Sequence, residues 1–101
     1  MFLAMNRFKI AKGKEQEFIE LWKNRNTYLE QVPGFKRFHL LAGPVKEDYA
    51  LFASHSEWNS RDDFEAWIRS DAFRKAHANA GAGKGLYLEP PQLELFESVL
   101  Q

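Results

Sequence analysis

The 101-residue sequence contains no cysteine, which excludes disulfide bonds, thiolate metal sites and cysteine nucleophiles. Any metal ion must therefore be held by nitrogen or oxygen ligands, and three histidines are available. An excess of one charge is also missing, because 14 Lys and Arg balance 14 Asp and Glu. Since no basic field exists to neutralise phosphates, neither nucleic acid nor an anionic membrane surface is an expected partner.

Long hydrophobic runs are missing too, because no apolar stretch approaches the roughly 20 residues that span a bilayer. The apolar stretch 1–5 is too short for the core of a signal peptide and is followed at once by Asn6 and Arg7. We therefore expect a soluble, cytoplasmic protein. Aromatic residues, by contrast, are abundant, with nine Phe and three Trp. This much ring area favours a partner subunit or an internal apolar pocket.

The spacing of apolar residues predicts one α+β domain over residues 1–101, in the order β-α-β-β-α-β. This order is typical of a ferredoxin-like sandwich. Gly43-Pro44 is expected to end the second strand, and the glycine-rich segment 80–85 is expected to be a mobile loop. The predicted elements are a strand over 2–10, a helix over 14–30, strands over 35–42 and 49–58, helical segments beginning at 60 and at 70, and a strand over 92–99.

Asn6 is an anomaly in the first strand, because alternation places it on the same face as Phe8 and Ile10. A buried carboxamide without hydrogen-bond partners costs on the order of 1–3 kcal/mol. A bound ligand could supply those partners. A backbone group or a water molecule could do so equally well, and the residue alone does not decide between them.

His77 lies on the apolar face of its predicted helix, near Phe73 and just ahead of the glycine-rich segment. An imidazole in this position could ligate iron. It could also simply pack at the helix end, where the dipole favours a histidine, and for one residue that reading is the commoner one.

Trp67 follows Phe64 at helical spacing, which is more often a core pattern than a cofactor contact. In one unbroken helix, positions 67 and 77 would point about 80° apart. Both can line one cavity only if the helix breaks between them. Ser70-Asp71 offers a capping hydroxyl at which a second segment can begin.

His39 and His55 fall on the second and third strands, where they could face each other across a hairpin. Two histidines without a nearby acid make a poor metal site. We interpret them as surface or structural residues.

Taken together, four segments resemble the antibiotic-biosynthesis monooxygenase superfamily. They are the strand AMNRFKI, the PGF turn, the run from Trp58 to Trp67 and the following SDAFRKAH. Within that superfamily they look like the IsdG-type haem-degrading branch. Its diagnostic feature is an Asn in strand one, a Trp in the second main helix and a His ten residues later, and Asn6, Trp67 and His77 fill these places.

The resemblance implies that two chains pair into a dimeric α+β barrel, with haem between sheet and helices in each subunit. It further implies a haem-degrading monooxygenase in which haem is both cofactor and substrate, with O₂ and an external electron donor such as a reductase. His77 would be the proximal iron ligand, Asn6 would hydrogen-bond near the distal ligand, and Trp67 would crowd the macrocycle.

Two further sets of haem contacts follow from this expectation. Phe73 shares the helical face of His77 and is expected to touch the macrocycle. The negatively charged propionates require cations, for which Arg25, Arg74 and Lys84 are candidates.

Three other functions remain open. One is a cofactor-independent monooxygenase of the same superfamily that oxidises phenolic or polyketide substrates. Another is a non-catalytic haem carrier or sensor, and a third is a small dimeric interaction module whose pocket is filled by Phe and Trp.

Overall fold

The computed structural model describes residues 1–25, 27–77 and 85–100. Four strands form one antiparallel sheet in the order β2-β3-β1-β4, which confirms the predicted ferredoxin-like α+β fold. The predicted loop over 80–85 lies outside the described residues except for Gly85. The elements are β1 (Phe2–Ile10), α1 (Glu15–Lys23), a 3₁₀ turn (Leu29–Gln31), β2 (Phe35–Val45), β3 (Ala50–Trp58), α2 (Arg61–Ile68), α3 (Asp71–Ala76) and β4 (Gln92–Glu97).

The helices pack on one face of the sheet, where alternation in β1 and β3 places the large apolar side chains. Phe18 of α1 lies against Phe8 and Phe52, with ring centroids 5.4 and 4.9 Å apart. Phe64 of α2 lies against Phe2 at 5.6 Å. The ring contacts between helices and sheet all fall on this face, so the opposite face is left without a helical cover in the described part of the chain.

The helix predicted over 14–30 is wrong at its C-terminal end, because α1 stops at Lys23. Asn24 and Thr27 have low helix propensity, since their polar side chains compete with the helical backbone bonds. Tyr28 then adopts a positive φ of 60°, which a right-handed helix cannot contain. As a result Arg25 leaves the helical stripe on which its spacing placed it.

The predicted break in the second helical region is confirmed. Ser60 caps α2 by accepting a hydrogen bond from the Asp63 N–H at 3.2 Å, and Ser70 caps α3 by accepting one from the Phe73 N–H at 3.1 Å. Each hydroxyl satisfies a backbone donor that the helix itself leaves unpaired. Two short helices therefore replace one long one.

The prediction that Gly43-Pro44 ends the second strand is wrong, since β2 continues to Val45. β2 lies at the edge of the sheet, where a missing proline N–H need not interrupt the ladder. The pairing of β2 with β3 also shifts register between Ala42 and Val45, so the two residues are accommodated in a bulge.

The last strand is shorter than predicted, because β4 ends at Glu97 and not at Val99. The Ser98 N–H still donates to the Met1 carbonyl at 2.9 Å, which extends the pairing with the start of β1 by one bond. Val99 is 96% exposed and has no neighbour that would hold it in the sheet.

None of the helices among the described residues is long and apolar enough to cross a membrane.

Candidate functional site

A hollow of about 170 Å³ lies between the sheet and the broken helical region. β1 and β3 form its floor, α2 and α3 form its wall, and Arg25 and Leu29 close it from the segment after α1. The four predicted site residues, Asn6, Trp67, Phe73 and His77, all line this hollow.

His77 is the C-terminal cap of α3, and its ring is held by Phe73 one turn earlier. The imidazole Nδ1 lies 2.8 Å from the Phe73 carbonyl oxygen, and the two rings are 4.1 Å apart at 30°. Because a carbonyl only accepts, Nδ1 carries the proton in this bond, and in the neutral imidazole Nε2 is then the nitrogen with the lone pair. The bond thus selects the tautomer that metal-binding histidines use.

Trp67 forms a rigid part of the wall and is only 6% exposed. Its indole stacks on Trp58 at 6.2 Å and 29°, and Phe73 meets it edge-on at 5.4 Å and 82°. Packing from two sides leaves the indole little freedom to move away from an incoming ligand. The break at Ser70 is what allows Trp67 and His77 to reach the same hollow.

The floor of the hollow carries polar groups among its apolar ones. Asn6 faces the hollow, and its side-chain amide makes no hydrogen bond to any other described residue. Ser54 lies directly opposite Asn6 on β3, and Ser56 follows two residues later on the same face. Ser54 was missed from sequence as a site residue, although alternation with Phe52 placed it on the face that the helices cover; the Ser56 hydroxyl is bonded to Ala4 and Trp58 within the core.

Arg25 is the cation that reaches the hollow. Its Nε donates to the carbonyl of Ala76 at 3.2 Å, and its guanidinium lies 4.7 Å from the centre of the Trp22 ring. Of the other two candidates, Arg74 pairs with Asp71 away from the hollow and Lys84 lies outside the described residues. No carboxylate appears among the described lining residues, so the local field favours an anionic group.

Trp22 lies where the hollow meets a second cavity of about 340 Å³ between α1, β2 and β3. Its buried indole N–H has no hydrogen-bond partner of good geometry in the described part of the chain. Burial raises the pKa of the Tyr87 hydroxyl, while the nearby Trp22 N–H and the Arg25 charge lower it by less. The aromatic end of α1 therefore borders both cavities.

His39 and His55 are paired across β2 and β3, with ring centroids 6.0 Å apart. Alternation puts them on the sheet face away from the hollow. Within ranges 1–25, 27–77 and 85–100, no three His, Cys, Asp or Glu residues lie close enough to hold a metal ion.

The family model for antibiotic biosynthesis monooxygenases matches residues 1–79. The chain belongs to this family. A heme-degrading monooxygenase from Bacillus cereus (strain B4264) is 33% identical over 81 residues, which are 80% of this chain and 75% of that protein. The resemblance seen in the sequence, to the superfamily and to its haem-degrading branch, is thereby confirmed.

Two solved structures have the same fold as this chain. The heme-degrader MhuD from Mycobacterium tuberculosis, with two hemes bound in its active site, has a TM-score of 0.75 and 30% identity, covering 100% of this chain and 98% of that chain. SnoaB, a cofactor-independent oxygenase from Streptomyces nogalater, has a TM-score of 0.67 and 22% identity, covering 99% and 94%. At 22% identity, the similarity to SnoaB shows a shared fold and nothing about function.

Proposed function

We propose that this protein is a haem-degrading monooxygenase that binds haem as both cofactor and substrate and releases its iron. The observation that carries the proposal is the placement of His77. Its Nδ1 is engaged by the Phe73 carbonyl, which leaves Nε2 free, and the residue lines a hollow that Asn6 and Trp67 also line.

The donor set fits haem iron. A neutral imidazole with a hydrogen-bonded second nitrogen is the usual axial ligand of iron in proteins that bind haem through histidine. The ring contact with Phe73 and the Nδ1 hydrogen bond together orient the His77 imidazole. Phe73 would in addition contribute apolar surface to the macrocycle.

When bound, haem supplies the iron that activates O₂ with electrons from an external donor such as a reductase, and its own ring is the carbon skeleton that is oxidised. Contacts with Trp58 and Phe73 restrict the movement of the Trp67 indole, so it would press on one side of the macrocycle. The Asn6 amide would orient a polar group on the sheet side by a hydrogen bond.

Arg25 would pair with a propionate. In the structure its Nε is bound to the Ala76 carbonyl, one residue before His77. The hollow, at about 170 Å³, is below the roughly 300–1,000 Å³ of ordinary ligand sites. Haem binding therefore requires side chains at the mouth to move, and Arg25 would exchange one acceptor for another without losing a charge-assisted bond.

The open face of the sheet would be covered by a second copy of the chain, giving a dimeric α+β barrel. Alternation places Leu3, Met5, Leu51 and Ala53 on this face, and Phe96 of β4 is 48% exposed there. The same face also carries the ion pairs Arg7–Glu94 and Arg37–Glu57, and a sheet face of this mixed kind without a helical cover is a surface suited to self-association. Sedimentation equilibrium is expected to give twice the mass of one chain, and Met5→Lys is expected to shift the mass towards the monomer.

The test is a haem titration of the purified protein. We expect a Soret band at one haem per subunit with the spectrum of histidine-bound iron, and we expect His77→Ala to lose that spectrum. His39→Ala is the matched control, since it removes an imidazole on the sheet face away from the hollow, and its mass is measured alongside to show that it still self-associates as the wild type does. An unchanged spectrum in His77→Ala, or the absence of saturable binding by the wild type, would contradict the proposal.

One observation favours a second function, the cofactor-independent oxidation of a phenolic or polyketide substrate. The hollow has the size of a ligand smaller than a porphyrin. In that case the wild type would not saturate with haem, and a phenolic substrate would consume O₂ in its absence. A haem carrier would instead bind haem through His77 and leave it intact under a reductant.

A further inference from the structure

A short polar row crosses the floor of the hollow. Across the sheet from β2 to β4, the row reads Leu40, Ser54, Asn6 and Leu93, each paired with its neighbour. The two polar residues lie in the middle and the two leucines flank them. The row therefore presents one amide and one hydroxyl side by side in apolar surroundings.

Ser54 is 6% exposed, and its hydroxyl makes no hydrogen bond to any described residue. Ser56, two residues along, is different: its Oγ donates to the Ala4 carbonyl at 3.4 Å and accepts from the Trp58 indole N–H at 3.0 Å. The Ser56 hydroxyl thus donates and accepts a hydrogen bond within the protein itself. The Ser54 hydroxyl has no such use within the described protein.

Among the described residues Trp22 Nε1 is the buried side-chain polar atom without a partner, so the Ser54 oxygen is not sealed in the core and opens into the hollow, where a ligand can reach it. Directly opposed residues of an antiparallel pair have Cβ atoms about 4.5–5.5 Å apart. At that spacing, the Asn6 amide and the Ser54 hydroxyl can both reach one small polar group between them. The hydroxyl can donate or accept, so it complements whichever role the amide takes.

We infer that Ser54 acts together with Asn6 as a second hydrogen-bonding residue for a small ligand that binds on the sheet side of the hollow. The inference rests on the proposed function. His77 lies at the end of α3 on the helix side of the hollow, and Asn6 and Ser54 lie on its sheet side, so a flat ligand bound between them would have one face towards each. Ser54 would hold a small oxygen or nitrogen ligand, such as water or an azide anion, on the face opposite the imidazole.

Azide binding to the ferric, haem-loaded protein tests the inference without any turnover. Ser54→Ala is expected to raise the azide dissociation constant about fivefold, the loss of one ordinary hydrogen bond. Its haem affinity is expected to stay within about twofold of the wild type, because no contact to the macrocycle is removed. Ser54→Thr keeps the hydroxyl and is expected to restore azide binding to near the wild-type value.

Ser56→Ala is the matched control, since it removes the neighbouring hydroxyl, which the core already uses. It is expected to lower the stability to urea and to leave azide affinity unchanged. If Ser54→Ala binds azide as the wild type does, or if Ser56→Ala weakens azide equally, the role of Ser54 is overturned while the haem proposal stands. A wild type that binds no haem through His77 overturns the proposed function, and this inference with it.

Discussion

Two apolar clusters share the helix-covered face of the sheet, and they are built differently. The α1 cluster consists of Phe8, Ile10, Phe18, Ala50, Phe52 and Leu86. The α2–α3 cluster consists of Phe2, Ala4, Leu29, Trp58, Phe64, Trp67 and Ala76. Phe18 of the first is fully buried, with four other aromatic rings within 6.4 Å, whereas the second borders the hollow and its polar row.

The two clusters differ in how completely they fill the space between the helices and the sheet. The α1 cluster buries ring against ring, which contributes apolar burial and dense packing. The α2–α3 cluster obtains less stabilisation from apolar burial. The helix break at Ser70 leaves space beside it, and the side chains of Asn6 and Ser54 make no hydrogen bond to other described residues. Substitutions in the two clusters should therefore have opposite consequences for stability and for haem binding.

The largest expected effect is on stability in the α1 cluster. Phe18→Ala should lower the free energy of unfolding by about 3–5 kcal/mol, because it removes a fully buried ring from a packed site. Phe73→Ala, in the half-buried wall of the hollow, should cost only about 1–3 kcal/mol. Urea denaturation measures both, and equal losses would show that the two clusters are not packed differently.

The next effect is on haem affinity. Arg25→Met should raise the haem dissociation constant about tenfold or more, since a hydrogen bond to a charged group contributes about 1.5–3 kcal/mol. Arg74→Met is the control, because this arginine pairs with Asp71 on the surface. Titrations at low and high salt should show that only the wild type and the control lose affinity as salt rises. Equal haem affinities in all three proteins would show that Arg25 does not pair with a propionate.

A smaller effect is expected at Asn6, and its sign is the informative part. Asn6→Val should raise the free energy of unfolding by up to about 1 kcal/mol, because it removes an amide with no internal partner and adds a residue that suits a strand. Haem breakdown should fall in the same variant. If Asn6→Val is instead clearly destabilised in urea, the amide serves the fold and not a ligand.

The smallest effect concerns alkaline pH and Tyr87. Burial raises the pKa of this hydroxyl above its unfolded value of 10.0, so the folded state holds the proton more tightly. Its contribution to stability is complete below pH 10 and is lost as the pH rises towards the folded-state pKa. Tyr87→Phe should therefore lose less stability than the wild type between pH 9 and 11. Parallel curves would mean that Tyr87 titrates alike in both states.

Much of this arrangement could be predicted from the sequence, because it depends on local rules. Alternation placed Asn6 on the covered face of β1, and two serines with the spacing of N-caps placed the helix break. The family resemblance brought Trp67 and His77 to the same site. These features can be predicted from the two-residue repeat of a strand, the 3.6-residue repeat of a helix and the preference for a hydroxyl at a helix N-terminus.

The parts that could not be predicted depend on tertiary contacts. Arg25 fits a helical stripe in sequence, and only the end of α1 at Lys23 frees it to reach the Ala76 carbonyl. Ser54 and Ser56 are alike in sequence, and only the register of β3 against β1 makes one structural and leaves the other unused. The placement of Arg25 depends on where α1 ends, and the difference between the two serines depends on how β3 pairs with β1.

The proposed function requires that haem bound in the hollow be broken down and its iron released. The most direct measurement follows the haem-loaded protein in air with ascorbate, with catalase present to remove free peroxide. We expect the Soret band to disappear and a ferrous chelator to recover about one iron per haem, and we expect both to be much slower in Asn6→Ala. A Soret band that persists while His77 still holds the iron, with no iron released, would contradict it.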